Sequence, residues 1–155
     1  MTKQLFILYA TVTGNAELCA NKIAETAWRF GYEPSVKSLE NFDIKQIISN
    51  CVALFCVSTY GEGDPPDQAF HFWKDLQHLQ ADALCDISYA IYALGDSSHD
   101  DFCGFGKKLD VELHAKGANR IMERVDNDLD FEEGVPTWCS CIFTVIPNIL
   151  SPSKA

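Results

Sequence analysis

The chain has 155 residues, of which 47% are hydrophobic and 22% are charged, and its formal net charge is −10. This size and apolar content fit a single globular domain with a sizeable core. Because nucleic acids and anionic membrane surfaces attract basic proteins, the charge argues against both as partners. It favours either a basic protein partner or a solvated surface without a partner.

Strand-like and helix-like patterns alternate along the chain. The predicted strands are residues 5–10, 33–39, 51–57, 87–94 and 120–125, and the predicted helices are residues 14–30, 41–49, 67–79, 105–115 and 131–146. This alternation predicts an α/β fold, a doubly wound three-layer sandwich around a five-stranded parallel sheet. We expect residues 1–150 to form the single domain and residues 151–155 a flexible C-terminal tail.

Seven cysteines, an odd number, lie mostly inside apolar runs. No signal-peptide pattern opens the chain, and no apolar stretch is long enough to span a bilayer. These observations predict free thiols in a cytoplasmic protein. Cys139 and Cys141 could bind a metal with His partners, but no suitably spaced second ligand pair follows them. Packed cysteines without a metal are therefore the favoured interpretation.

The first loop follows the first predicted strand, at the sheet edge where doubly wound folds bind ligands. It contains small hydroxyl and amide residues around Gly14, with no Lys or Arg, and it leads into a predicted helix. Backbone N–H groups, hydroxyls and the positive end of that helix could hold a phosphate. The alternative is an ordinary helix cap made by Thr13 or Asn15. Neither GxGxxG nor GxxxxGK[ST] follows this strand.

Two further loops emerge at the same predicted edge. In residues 58–67, Gly61 and Gly63 would let a flat ligand approach the backbone, and Tyr60 could lie on a ring; the alternative is an acidic surface loop stiffened by prolines. In residues 94–104, His99 could cover a second face of the ring or be a lone surface histidine. For Phe102 we expect packing in the core.

Three motifs in this order resemble flavodoxins. They are T-x-T-G-N-A-E at residues 11–17, S-T-Y-G-E-G-D-P-P at 58–66 and L-G-D-S-S-x-x-x-F-C-x-x-G-K at 94–107. They are most similar to the FMN domains of diflavin reductases of the sulfite reductase flavoprotein type. The resemblance extends from Leu5 to about Ile146, and no extra stretch interrupts the final predicted strand, as in the short-chain class. It implies the flavodoxin-like fold, with strand order 2-1-3-4-5, and non-covalent FMN.

The resemblance also implies where FMN binds. The phosphate would be held by Thr11, Val12, Thr13, Gly14, Asn15 and Ala16. The isoalloxazine would be lined by Ser58, Thr59, Tyr60, Gly61 and Gly63, with Tyr60 stacked on one face. Leu94, Gly95, Asp96, His99, Phe102 and Cys103 would form the other wall, and Asp128 is a candidate near the reactive edge. His99 replaces the Tyr that diflavin relatives usually carry, so it could make the low-potential couple depend on pH.

In function, the resemblance implies an electron carrier with no catalytic residue of its own. We expect a monomer that shuttles single electrons between a flavodoxin reductase type donor and a metalloenzyme or haem acceptor, both docking on the acidic loop face. The chain ends where diflavin reductases continue into FAD and NADPH domains, and Met1 and the short tail favour a stand-alone carrier. The main alternative is a small flavin-dependent NAD(P)H or quinone oxidoreductase. Two further alternatives are a receiver-like module and a flavodoxin-like module without flavin. The receiver-like module would need an acidic cluster after the first strand.

Overall fold

The computed structural model describes residues 4–48 and 50–152. Ser49, at the end of the predicted helix 41–49, and residues 153–155 of the predicted tail lie outside the described residues.

The sheet is parallel and confirms the predicted strand order, β2-β1-β3-β4-β5. Its strands are β1 (Gln4–Ala10), β2 (Ser35–Ser38), β3 (Cys51–Val57), β4 (Ile87–Leu94), β5 (Asn119–Arg120) and β6 (Val125–Asn127). Every residue of β3 and β4 is buried, as expected for central strands with helices on both faces. The carboxyl ends of β1, β3 and β4 lie side by side, because their pairing is in register through Ala10, Val57 and Ala93.

The single predicted strand 120–125 is wrong, since two short strands occupy the fifth position. Arg120 pairs with Tyr89 and Val125 pairs with Tyr92. Three residue steps separate the two tyrosines on β4, whereas five steps separate their partners, so two extra residues must leave the ladder between β5 and β6.

Among the described residues, five α-helices cover the two faces of the sheet. They are α1 (Asn15–Arg29), α2 (Lys45–Ile48), α3 (Phe70–His78), α4 (Gly104–Ala115) and α5 (Val135–Val145). The last helix begins at Val135 rather than at the predicted 131, because residues 130–135 form turns and Pro136 stands in the first turn of the helix.

Two apolar clusters fill the space between the sheet and its helices. On one side, Phe55 of β3 packs with Phe72 of α3 in a cluster that also contains Phe105 and Leu109 of α4. The cluster on the other side joins α1 and α5 to the sheet. Fully burying one such side chain stabilises the fold by about 1.5–3 kcal/mol, so these layers hold the strand ends in place.

The predicted packing of Cys139 and Cys141 is confirmed for the first of the two residues. Cys19, Cys56, Cys103 and Cys139 are free and buried. Cys141 is free but exposed, so its predicted packing is wrong: two positions along a helix turn a side chain by about 200°, away from the face that buries Cys139. Within residues 4–48 and 50–152, no group of His, Cys, Asp and Glu is arranged to hold a metal ion. No described helix is both long and apolar enough to cross a membrane.

Candidate functional site

A cavity of about 200 Å³ opens at the carboxyl ends of the strands. Its lining includes twelve of the predicted site residues: Val12, Thr13, Asn15, Ser58, Thr59, Gly61, Leu94, Gly95, Asp96, His99, Cys103 and Asp128. The folded chain therefore brings three of its loops and Asp128 to one place, as expected for a doubly wound sheet.

Six predicted residues lie beside the cavity rather than in its lining: Thr11, Gly14, Ala16, Tyr60, Gly63 and Phe102. Tyr60 lies between two lining residues and is 57% exposed. Phe102 packs against the core, as predicted for it. The roles that the resemblance assigns to these residues stay predictions.

The first loop is held in shape by Thr11. Its Oγ1 accepts a hydrogen bond from the backbone N–H of Gly14 at 2.7 Å and another from Ala16 at 3.3 Å. Gly14 adopts φ +94°, in the left-handed region that favours glycine. Thr13 and Asn15 make no side-chain cap of α1, which argues against the ordinary-cap alternative.

The second loop is a small hairpin. Tyr60 and Asp64 exchange backbone hydrogen bonds of 2.8 and 2.9 Å. Gly61 and Gly63, at φ +53° and +90°, make the tight reversal possible. The loop is tied to helix α4 by Lys108, which donates to the Gly63 carbonyl at 2.9 Å. This side of the cavity is thus built from backbone held in a fixed shape.

The third loop packs tightly at its start. A Cβ atom on Gly95 would lie 2.8 Å from the backbone nitrogen of Cys103 and 2.9 Å from its Sγ, so only glycine fits there. The Gly95 N–H donates to the Asn127 carbonyl at 2.8 Å, which joins this loop to the end of β6. Burial raises the pKa of the Cys103 thiol to about 12, so it stays protonated at neutral pH and serves packing.

Two carboxylates of the cavity are held by serines of the third loop. Asp96 accepts from the hydroxyl of Ser98 at 2.7 Å and from its N–H at 2.9 Å. Asp128 accepts from the hydroxyl and the N–H of Ser97. These hydrogen bonds lower the pKa of both carboxyl groups, so both are ionised at neutral pH.

Sequence reasoning missed two residues of the lining, Leu129 and Phe131; Asp101, an acidic residue of the third loop, also lines the cavity. Leu129 is 72% exposed and follows Asp128 in the segment between β6 and α5. A large apolar residue in an otherwise acidic loop at this sheet edge was the signal that could have found it. Among the described residues, none that lines the cavity is a Lys or Arg, so the described lining is acidic. Besides its carboxyl groups and the Cys103 thiol, that lining contains the imidazole of His99.

The residues present suit a flat ligand with a phosphate at one end. The amides of Val12, Thr13 and Asn15 make no hydrogen bond within the described part of the chain, and they lie at the N-terminus of α1. Gly61 and Gly95 both line the cavity, and a Cβ atom on Gly61 would meet no atom closer than 3.8 Å. Fold and site together define a doubly wound α/β protein whose strand ends form a cavity suited to a flat ligand with a phosphate.

Comparison with known proteins agrees with this class. The flavodoxin family model matches residues 7–138, and the chain belongs to the flavodoxin family. Its cofactor is accordingly FMN.

Relatives and solved structures support the assignment. The chain is 38% identical over 138 residues to the sulfite reductase [NADPH] flavoprotein alpha-component of Bacillus subtilis (strain 168), covering 89% of this chain and 23% of that protein. It is 36% identical over 143 residues to the NADPH–cytochrome P450 reductase of Oryctolagus cuniculus, covering 88% of this chain and 21% of that one. The chain thus spans about a quarter of the length of the curated relatives it matches.

A flavodoxin of Streptococcus pneumonia TIGR4 superimposes with a TM-score of 0.79 at 25% identity, covering 91% of this chain and 98% of that one. A short-chain flavodoxin associated with a bacterial microcompartment has a TM-score of 0.82 at 23% identity, covering 96% and 99%, which is a likeness of fold.

Proposed function

We propose that this flavodoxin-family domain carries single electrons between a reductase and a redox partner protein, acting as a monomer with no catalytic residue of its own. FMN supplies the redox chemistry when bound, and the protein binds it, orients it and tunes it. The observation that carries the proposal is the cavity itself, where backbone amides and glycines at the strand ends meet an acidic lining without a Lys or Arg.

Each end of the cavity has its own task in this proposal. The amides of the first loop and the Thr11 hydroxyl hold the phosphate end. The hairpin with Tyr60 and the loop with His99 flank the ring, where exposed side chains leave an edge within reach of a partner. Ionised Asp96 and Asp128 oppose the addition of negative charge, so they lower the midpoint potential.

The acidic loops suggest how partners dock. Carboxylates around the cavity, in a chain of net charge −10, attract a basic surface and accelerate the encounter. The named relatives are reductases of sulfite and of cytochrome P450. We therefore propose a flavodoxin reductase type donor and a metalloenzyme or haem acceptor, all in the cytoplasm.

Stopped-flow reduction of the FMN-loaded protein tests the proposal. An NADPH-dependent flavodoxin reductase should reduce it at low salt, and the rate should fall as salt screens the charges. The reduced protein should then pass electrons to cytochrome c, a basic haem protein. Rapid reduction by NAD(P)H alone would contradict the proposal and support the flavin-dependent oxidoreductase instead.

A further inference from the structure

Gln68 lies just beyond the second motif, in the 3₁₀ turn Asp67–Ala69, yet its side chain reaches the first loop. The backbone N–H of Thr11 donates to Oε1 of Gln68 at 2.9 Å, across 57 positions of sequence. Because a backbone N–H can only donate, the facing atom of the side-chain amide must be its oxygen. The contact is partly buried, which protects it from competition with water.

Thr11, whose backbone is held by Gln68, in turn fixes the shape of the first loop through its hydroxyl. A hydroxyl has two acceptor positions and one donor, and the N–H groups of Gly14 and Ala16 occupy both acceptor positions of Thr11 Oγ1. Its proton is then the remaining hydrogen-bonding group, and none of the described residues accepts it. The proton is available to an oxygen of the ligand, and any rotation of the Thr11 backbone would redirect it.

We propose that Gln68 is a positioning residue for the phosphate of FMN. It holds the Thr11 backbone so that the Thr11 hydroxyl closes the turn and also donates to a phosphate oxygen. The inference rests on the FMN-binding role proposed above. The turn that carries Gln68 follows directly on the second loop, which contains Tyr60. Gln68 therefore also links the ring end of the site to the phosphate end.

Riboflavin, which lacks the phosphate, separates this role from a general loss of structure. We would titrate the apoprotein with FMN and with riboflavin and follow the quenching of flavin fluorescence. Gln68→Met should lower FMN affinity about five-fold and leave riboflavin affinity within about two-fold of wild type. Gln77→Met, the same change at an exposed position of α3, should alter neither affinity.

A second variant tests the end of the site where the flavin ring would bind. Thr59 Oγ1 accepts from the Phe105 N–H at 3.1 Å. Thr59→Val removes that acceptor beside the ring, so it should weaken the binding of FMN and of riboflavin alike. If Gln68→Met lost affinity for both flavins equally, or for neither, the inference would be overturned.

The apoprotein offers a readout that needs no flavin. In ¹⁵N–¹H spectra, the Thr11 amide proton should move upfield in Gln68→Met and keep its position in Gln68→Glu, which retains an acceptor oxygen. An unchanged Thr11 signal in Gln68→Met would overturn the inference. Wild-type protein that binds neither flavin would overturn the proposed function instead.

Discussion

His99 Nδ1 lies 3.4 Å from Oε1 of Glu62, and this contact joins the third loop to the second beside the cavity. The side chains are 47% and 68% exposed, so the pair holds the loops together only weakly. Asp96 also interacts electrostatically with His99. The third loop therefore places an imidazole among the carboxylates of the site.

The midpoint potential of bound FMN should therefore depend on His99. A proton on the imidazole would add a positive charge that favours uptake of an electron, so the wild-type potential should rise more steeply as pH falls from 8 to 6 than the potential of a variant without the imidazole. His99→Tyr should flatten this rise by about 20 mV, well under the ~59 mV that a full tenfold shift of a one-electron equilibrium represents, because salt and water screen exposed charges. Redox titration at several pH values measures it.

The control for this titration is His71→Tyr, since His71 is exposed on α3, outside the cavity lining. His71→Tyr should keep the wild-type slope of midpoint potential against pH. Identical slopes in wild type and His99→Tyr would refute the prediction.

The hydrogen bonds from Ser97 to Asp128 predict a pH-dependent contribution to stability. Because they lower the pKa of Asp128 in the folded state, they stabilise the fold at pH values above the usual carboxyl pKa, and this stabilisation is lost as pH falls through the lowered value. Ser97→Ala should therefore lower Tm more at pH 7 than at pH 3. Ser140→Ala, at an exposed position of α5, should show no such difference. A loss in Ser97→Ala that is equal at both pH values would count against the prediction.

The contact between Gly95 and Cys103 predicts a large effect from one methyl group. In Gly95→Ala the new Cβ meets the Cys103 backbone nitrogen and Sγ, so the free energy of unfolding should fall by about 1–3 kcal/mol and both flavins should bind more weakly. Gly14→Ala meets no atom within 4 Å and adds only the strain of its positive φ, about 1 kcal/mol. Urea unfolding measures the free energy of unfolding of the two variants, Gly95→Ala and Gly14→Ala.

The double variant Gly95→Ala/Cys103→Ala sharpens this test. It removes the Sγ contact and keeps the backbone contact at 2.8 Å, so stability should recover only in part. Complete recovery would show that the backbone contact does not matter.

Asp110 joins helix α4 to the divided sheet edge. It is 6% exposed and accepts from the Tyr89 hydroxyl at 2.6 Å, from Arg120 Nε at 2.9 Å and from Arg124 at 3.0 Å. Asp110→Ala removes this carboxylate. The Tyr89 hydroxyl keeps the Asp110 carbonyl at 3.2 Å and Arg124 keeps Asp126, whereas Arg120 loses its acceptor, so the free energy of unfolding in urea should fall by about 3 kcal/mol.

An exposed ion pair provides the matched comparison. Lys22 and Glu132 are 2.6 Å apart, with side chains 43% and 45% exposed. Lys22→Ala should leave Tm nearly unchanged, because solvent screens such pairs. If Lys22→Ala destabilised the fold as much as Asp110→Ala, solvent screening of the exposed pair would be contradicted.

The sequence by itself determined the order of the elements, and its three loop motifs carried the resemblance to flavodoxins that implied the strand order. The elements appear as contiguous runs: an apolar strand, a loop and an amphipathic helix, repeated. Their physical causes are local backbone preference and the burial of one face, which neighbouring residues decide. For the same reason, three loops and Asp128 could be assigned to one cavity before any contact was known.

Only the tertiary structure decided the contacts between distant segments. The bond from Thr11 to Gln68, the division of β5 from β6 around Asp110, and the presence of Leu129 in the lining depend on where strand ends and helices stand relative to one another. Such positions follow from packing of the whole core, because a side chain can satisfy a backbone donor only when the two elements that carry them are already in place.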